Sequence, residues 1–291
     1  SDFTLKFIGY LLSVVFLYVT FKDTNIELII RHLEYINYYY ILIALILIVI
    51  FHFIRSLYQQ NNLKYLNPEL SFSVSLQSIA LAYFFNNILP ARLGEVIRAF
   101  FLAKKNNISR TLILSYILVE KIIDTIFILF ILFLIFIFIG EDIINKINHV
   151  RIIFFFLLFI ITSIVIFFYF NKHLARIFRY IIPKSYHSIA SRINFDINQG
   201  FSCFRTSLQI IKALFLLIFS WILVICIYYF ISLPYVEVLG LPDYSFLYFF
   251  VFTALALTIP SAPAGIGTVH YGLYLSISIL NPEILDTNID L

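Results

Sequence analysis

Long apolar runs constrain this chain more than any other feature of its sequence. A helix needs about 20 predominantly apolar residues to cross the roughly 30 Å hydrocarbon core of a bilayer. The runs that reach or approach that length are 3–21, 38–57, 111–139, 151–170 and 209–232. Because they recur along a sequence that is 62% hydrophobic and 12% charged, we predict one all-α, polytopic membrane domain covering residues 1–291.

A sixth apolar segment, 72–89, is interrupted at its end by a proline. Pro90 cannot donate a backbone N–H and disfavours helical geometry at Leu89. We therefore expect a break there and a second helix beginning near Ala91, which gives a broken helical pair over 72–103.

A seventh apolar segment, 245–280, is broken near its middle by prolines and glycines. Its helix should resume near Gly267, with Thr268 or Ser261 as the cap. The free N–H groups of that helix start would favour an anion, or the glycines could simply allow a tight packing turn. The residues predicted to form the two breaks are Asn87, Pro90, Gly94, Pro260, Pro263, Gly265 and Gly267.

Lysine and arginine are concentrated in the segments 90–110 and 171–212. Cytoplasmic loops carry the excess of these residues, so both segments and the N-terminus should be cytoplasmic. The acidic stretches after residue 212 should face outward. These assignments agree with one another only if 72–89 enters the membrane from the cytoplasm and returns to it, while 245–280 enters from the outer face and returns there. Two such re-entrant hairpins entering from opposite faces are typical of transporters with a site near the midplane.

The segment 171–183 alternates apolar and cationic residues at helical spacing. It predicts an amphipathic helix at the cytoplasmic headgroup region, within a cytoplasmic segment 171–208. A solvated loop that obeys the same charge rule is the alternative.

Arg92, Glu95 and Arg98 follow the first break at intervals of three residues. Side chains three apart can pair on a helix, and a helix start beside two guanidinium groups is a good seat for phosphate or carboxylate. The alternative is that these three residues only stabilise an interfacial helix through their mutual ion pairs.

Glu120, Lys121 and Asp124 lie within the run 111–139. Each charge costs about 2.5–3.5 kcal/mol at a helix centre, so such residues face the bundle interior and usually mark function. The carboxylates could bind a cation, a proton or a cationic headgroup, or they could hold Arg92 and Arg98 in place. An internally neutralised packing pair is the alternative.

The sequence offers no pattern for a cofactor, a metal or a nucleic acid. Cys203 lies in a basic segment and Cys226 in an apolar run, so they form neither a disulfide framework nor a metal-ligand spacing. His270 alone is more often a satisfied bundle histidine than a ligand.

Three ordered blocks carry a family resemblance: "NNILPARLGEVIRAFFLAKK", "LVEKIIDTIF" and "PSAPAGIGTVHYG". Together they resemble the transmembrane flippase-like domain of the lysylphosphatidylglycerol synthase family. The resemblance implies a multi-helix bundle with re-entrant helices that moves a lipid headgroup across the bilayer, in the best-known members an aminoacylated phosphatidylglycerol.

The resemblance also implies which positions matter. The polar motif maps to Pro90, Arg92, Gly94, Glu95 and Arg98, the intramembrane acidic motif to Glu120 and Asp124, and the Pro/Gly break to Pro263, Gly265 and Gly267. This sequence departs from the family pattern at His270, where members commonly carry an acidic residue. Members also usually continue with another spanning helix, so the chain is expected to be truncated. The soluble aminoacyl-transfer domain is absent from the sequence, so we do not expect this chain alone to make lysyl-lipid.

These patterns predict a non-enzymatic lipid transporter in the cell membrane that moves a phospholipid or polyprenyl-phosphate headgroup. Its substrate-binding residues would be Arg92, Glu95, Arg98, Glu120, Lys121, Asp124 and Thr268. One alternative is a membrane-embedded transferase that uses a carboxylate as a base. Another is a scaffold subunit for a cytoplasmic lipid-modifying enzyme. A homo-oligomer is compatible with each of these hypotheses.

Overall fold

A computed structural model of the chain describes residues 37–89, 92–139, 207–257 and 263–281, and the isolated positions 18, 195 and 199. All regular structure in these ranges is helical, which confirms the all-α prediction for this part of the chain. Seven α-helices lie there: α1 Tyr38–Leu63, α2 Phe72–Ile88, α3 Gly94–Asn106, α4 Arg110–Ile139, α5 Ser207–Val238, α6 Ser245–Ala256 and α7 Thr268–Leu280.

Some predicted segments fall outside these ranges. The expected spans 3–21 and 151–170 are outside the described residues, except for position 18. The amphipathic segment 171–208 is also outside them, except for positions 195 and 199 and the start of α5. Pro90, Pro260 and Ser261 are likewise outside the described residues.

Two helices in the described part of the chain are long and apolar enough to cross a membrane, over Tyr38–Leu63 and Leu208–Val236. They pack against each other, with Tyr58 of α1 in one buried cluster with Ala213 and Leu217 of α5. Helix α1 continues six residues beyond the predicted 38–57 because the polar side chains of its last turns are buried among partners from other helices.

Helices α2 and α3 form the first broken pair. Leu89 is extended, with φ −101° and ψ 141°, as expected before a proline. The prediction that the second helix begins near Ala91 is wrong: α3 begins at Gly94. Arg92 adopts φ 54°, a left-handed conformation that a right-handed helix cannot contain.

Gly94 explains why α3 begins where it does. Its backbone N–H donates to Oδ1 of Asn86 over 2.9 Å, so a side chain of α2 satisfies a donor at the helix start. A Cβ at Gly94 would lie 2.2 Å from the carbonyl oxygen of Ala82. The two helices therefore touch backbone to backbone, and only glycine fits.

Helices α6 and α7 form the second broken pair, joined through a 3₁₀ turn at Pro263–Gly265. They also approach closely, though less so than the first pair, because a Cβ at Gly272 would lie 2.9 Å from the carbonyl oxygen of Phe252. Helix α7 follows Gly267, whose φ of 89° suits glycine. The N–H of Gly267 donates to Nδ1 of His270 over 3.3 Å, so this histidine has a structural contact at the helix start.

The expectation that Thr268 caps α7 is wrong. Gly267 occupies the cap position and Thr268 is the first helical residue, with its hydroxyl donating to the carbonyl of Gly265 over 3.0 Å. Gly267 takes the position because its backbone conformation there is one that a threonine would adopt only with strain.

The two breaks meet inside the bundle. The turn Pro263–Gly265 contacts α2, and α6 packs on α4. The four helices of the broken pairs have 12 to 17 residues each, which corresponds to lengths of about 18 to 26 Å. Each is thus shorter than the hydrocarbon core. That the pairs enter from opposite faces stays a prediction.

Candidate functional site: a charge network beside a cavity

Helix α4 supplies the charged residues at the centre of the site. Glu120 is 1% and Asp124 8% exposed. Arg55 of α1 contacts both carboxylates: its Nη2 lies 2.7 Å from Oε1 of Glu120 and 2.8 Å from Oδ2 of Asp124, and its Nη1 lies 3.0 Å from Oδ1 of Asp124. The guanidinium therefore joins the two carboxylates of α4 to α1.

Arg98 of α3 is the second buried guanidinium, at 1% exposure. It donates to both oxygens of Glu120, over 3.2 Å from Nη1 and 2.8 Å from Nη2. Its Nη1 also donates to Glu95 over 3.3 Å, and its Nε to Gln59 over 2.8 Å. Every nitrogen of Arg98 is thus engaged by the protein.

Gln59 extends this network to α2. Its amide oxygen accepts the bond from Arg98, and its amide nitrogen donates to the hydroxyl of Ser78 over 2.6 Å. Both residues are fully buried. Because a buried amide left unpaired would be costly, Gln59 fixes Arg98 and α2 relative to each other.

Lys121 closes the network on its more accessible side. Its Nζ lies 3.1 Å from Oε1 of Glu95 and 3.9 Å from Oδ2 of Asp124, and its side chain is 35% exposed. Three cations face three carboxylates in the network formed by Arg55, Glu95, Arg98, Glu120, Lys121 and Asp124, so its net charge is zero.

The two broken pairs and this network enclose a cavity of about 580 Å³. Its polar lining residues come mainly from α1 to α4, whereas α5 and α6 contribute mainly apolar ones. The polar and break-derived lining residues are Arg55, Tyr83, Asn86, Asn87, Arg92, Glu95, Lys121, Asp124, Thr125, Ala264 and Gly265. The apolar lining includes Ile128, Trp221, Val224, Phe250, Ala254 and Leu257.

Arg92 differs from the other lining cations. Its side chain is exposed and lines the cavity, and it forms no ion pair within 4 Å among the residues that the structure describes. Asn87 also lines the cavity. The expectation that the α4 carboxylates hold arginines in place thus applies to Arg98, while Arg92 is presented to the cavity.

Backbone strain is concentrated at the two breaks. The described part of the chain contains three non-glycine residues with positive φ, and two of them, Arg92 at 54° and Ala264 at 58°, line the cavity. This conformation costs about 1–2 kcal/mol for a residue with a Cβ. Strained backbone of this kind tends to cluster at functional sites.

The structure separates the predicted site residues into three groups. Arg92, Glu95, Lys121 and Asp124 line the cavity, together with the break residues Asn87 and Gly265. Arg98 and Glu120 lie behind its wall in the charge network. Thr268 is buried at 1% exposure and is not among the lining residues, and Gly94 and Gly267 shape the backbone.

Sequence reasoning missed Arg55, Tyr83, Asn86 and Trp221. Arg55 did carry a signal, because it is the one charged residue in the run 38–57, and an arginine within a span usually marks a buried partner. Trp221 is the only tryptophan in the chain; its ring stacks on Phe127 at 5.4 Å and meets the edge of Phe250 at 5.6 Å.

Comparison with known protein families gives a match over most of the chain. The family described as "Lysylphosphatidylglycerol synthase TM region" matches residues 6–283. The chain belongs to this family. The match confirms the resemblance seen in the three sequence blocks. Searches of curated proteins and of solved structures gave no match.

Membership in this family makes the chain a membrane protein related to lipid modification or transport. The buried charges then lie in a protein whose surroundings are largely apolar, where an unpaired ion is costly. Full pairing of Arg55, Arg98, Glu120 and Asp124 explains how these charges are tolerated. In the described residues there is no group of three His, Cys, Asp or Glu that could hold a metal ion.

Proposed function

We propose that this protein is a lipid transporter that moves a phospholipid or polyprenyl-phosphate headgroup across the cell membrane through the cavity between its two helical breaks. The observation that carries the proposal is the cavity itself. It combines an exposed Arg92, which has no ion pair to any described residue, with apolar lining residues such as Trp221 and Leu257. An amphiphile needs both environments, because its headgroup is polar and its chains are not.

The proposed route uses the two broken pairs as re-entrant hairpins that enter from opposite faces. Their helices, about 18–26 Å long by rise per residue, are too short to span, which supports this arrangement. Irregular backbone at membrane depth is tolerated where it lines a polar cavity, and both breaks line this one. The basic segments 90–110 and 171–208 and the N-terminus would then face the cytoplasm.

Within this proposal, the two predicted phosphate-binding arginines have different tasks. Arg92 contacts the headgroup phosphate, because its guanidinium is presented to the cavity. Arg98 is a positioning residue, because all its nitrogens are occupied by Gln59, Glu95 and Glu120. The network fixes α1, α3 and α4 around the cavity, and we propose that transport involves no covalent change in the lipid.

Transport can be measured with fluorescent headgroup-labelled phospholipids in proteoliposomes, using a membrane-impermeant reductant to bleach the outer leaflet. The proposal predicts that the protein makes nearly all of the label accessible to the reductant, whereas protein-free vesicles lose only the outer half. Mass spectrometry of the extracted lipids should show unchanged headgroups. Failure to move phospholipids and polyprenyl phosphates alike, in vesicles that contain folded protein, would contradict the proposal.

A further inference from the structure

The charges around the cavity are not evenly available to a ligand. Each carboxylate in the wall is held by a cation of the protein: Glu95 by Lys121 at 3.1 Å and Arg98 at 3.3 Å, and Asp124 by Arg55 at 2.8 Å. A cationic headgroup would therefore have to displace a lysine or an arginine before it could pair with either carboxylate.

Among the residues that the structure describes, the positive charge of Arg92 has no such counterpart. The three cations of the network balance its three carboxylates, and Arg92 adds a fourth cation at the cavity surface. Around the cavity the described charges therefore sum to one unit of excess positive charge. A ligand that carries a single negative charge neutralises this excess, while a cationic ligand doubles the mismatch.

On the basis of the transport function proposed above, we infer that the cavity selects headgroups with a net charge of −1, bound as a phosphodiester by Arg92, and disfavours headgroups with a net positive charge. The planar guanidinium can donate two parallel hydrogen bonds to phosphate oxygens. Asn87, which also lines the cavity, adds an amide donor. The paired carboxylates at Glu95 and Asp124 exclude cations because their own partners already neutralise them.

Trp221 provides a direct readout of occupancy. It is the only tryptophan and lines the cavity, so a lipid with brominated acyl chains that reaches the site should quench its emission. The protein in nanodiscs of unbrominated neutral lipid can be titrated with three brominated probes. These are phosphatidylglycerol, with one negative charge; phosphatidylcholine, which is zwitterionic; and ethyl-phosphatidylcholine, which is cationic because its phosphate is capped.

The inference predicts that phosphatidylglycerol quenches at about 10- to 100-fold lower concentration than ethyl-phosphatidylcholine, since one hydrogen-bonded ion pair contributes about 1.5–3 kcal/mol and each 1.4 kcal/mol is tenfold. Phosphatidylcholine should lie between them. Equal affinities for the three lipids, or no quenching by any of them, would overturn it.

Variants at Arg92 test the assignment more sharply than the lipid series alone. Arg92→Gln should abolish the difference between the anionic and cationic probes, Arg92→Lys should retain most of it, and Arg92→Glu should reverse the order. Arg110→Gln is a matched control, because Arg110 lies over the ring of Phe100 and outside the cavity lining. An unchanged order in Arg92→Glu would contradict the assignment.

Two further results separate this inference from the transport proposal. If the protein moves lipids but binds the three probes equally, the charge selectivity is wrong and transport stands. If glycerol 3-phosphate displaces phosphatidylglycerol with comparable affinity, the ligand is a soluble phosphate anion and the lipid part of the inference is wrong. Weak displacement by glycerol 3-phosphate supports a lipid ligand, because the apolar wall then contributes to binding.

Discussion

Replacing Glu120 with glutamine should destabilise the protein more than any other single change of a carboxylate in the network. Glu120 accepts bonds from both buried guanidinium groups. Without its charge, Arg55 keeps both contacts to Asp124, but the one carboxylate still bonded to Arg98 among the described residues is Glu95, at 3.3 Å. An uncompensated buried charge typically costs about 3–5 kcal/mol, and we expect a loss in this range.

Asp124→Asn is a useful comparison at the same depth. Arg55 would keep Glu120 at 2.7 Å, and Lys121 would keep Glu95 at 3.1 Å. Lys121 is also half-buried rather than fully buried. The expected loss is therefore smaller, about 1–3 kcal/mol. Glu69→Gln, in an exposed connection between α1 and α2, should change stability by less than about 0.5 kcal/mol.

Reversible unfolding in mixed micelles of dodecyl maltoside and sodium dodecyl sulfate, followed by Trp221 emission, gives the free energies of unfolding of these three variants. The double variant Arg98→Gln/Glu120→Gln removes the charge imbalance, so its loss should be smaller than the sum of the single losses by about 1–3 kcal/mol. Additive losses, or a cost for Glu120→Gln that equals that of Glu69→Gln, would refute the network as described.

Two substitutions test the breaks themselves by the same unfolding measurement. Gly94→Ala should lower the free energy of unfolding by about 3 kcal/mol, the upper range for overpacking, because its Cβ would lie 2.2 Å from the carbonyl oxygen of Ala82. An unfolding free energy equal to that of the wild type would show that α2 and α3 can separate at little energetic cost. Ala264→Gly should stabilise the protein by about 0.5–1 kcal/mol, since relief of left-handed strain exceeds the entropy cost of glycine. Ala254→Gly, within α6, should destabilise it by about 1 kcal/mol. If both changes shifted stability in the same direction, the claim of backbone strain at Ala264 would be wrong.

The helices were predictable from the sequence because their signals are local. Helix α4 begins within one residue of the predicted 111–139 and ends at the same residue, since apolar length alone defines it. The break at Leu89 follows from the proline after it, and the break before α7 follows from a cluster of glycine and proline. Tertiary contact was not needed for any of these inferences.

The start of α3 was not predictable in this way. The proline at position 90 placed it near Ala91, but the observed start depends on the contact between Gly94 and the carbonyl of Ala82 on α2. That contact fixes where the backbone can turn, and Arg92 accepts a left-handed conformation as a result. A single glycine in a sequence does not show which backbone it will touch.

The partners of the charges also required the structure. Glu120 and Asp124 were visible as buried carboxylates, but Arg55, which contacts both of them, lies 65 and 69 residues away in the chain. Arg98 looked like a second ligand-binding arginine because its engagement with Gln59 and Glu120 is invisible in sequence spacing. Which arginine is held internally and which is presented to the cavity is therefore a tertiary property.

The most direct test of the central claim is to block the cavity and measure lipid movement. In a background with Cys203→Ser and Cys226→Ser, Thr125→Cys places a thiol on the cavity wall. Ile126→Cys, its neighbour on α4, is 40% exposed and is not among the lining residues. Modification with a bulky maleimide should abolish headgroup-labelled lipid movement in proteoliposomes for Thr125→Cys and leave it unchanged for Ile126→Cys. Fully modified Thr125→Cys protein that moves lipid at its unmodified rate would contradict passage through this cavity.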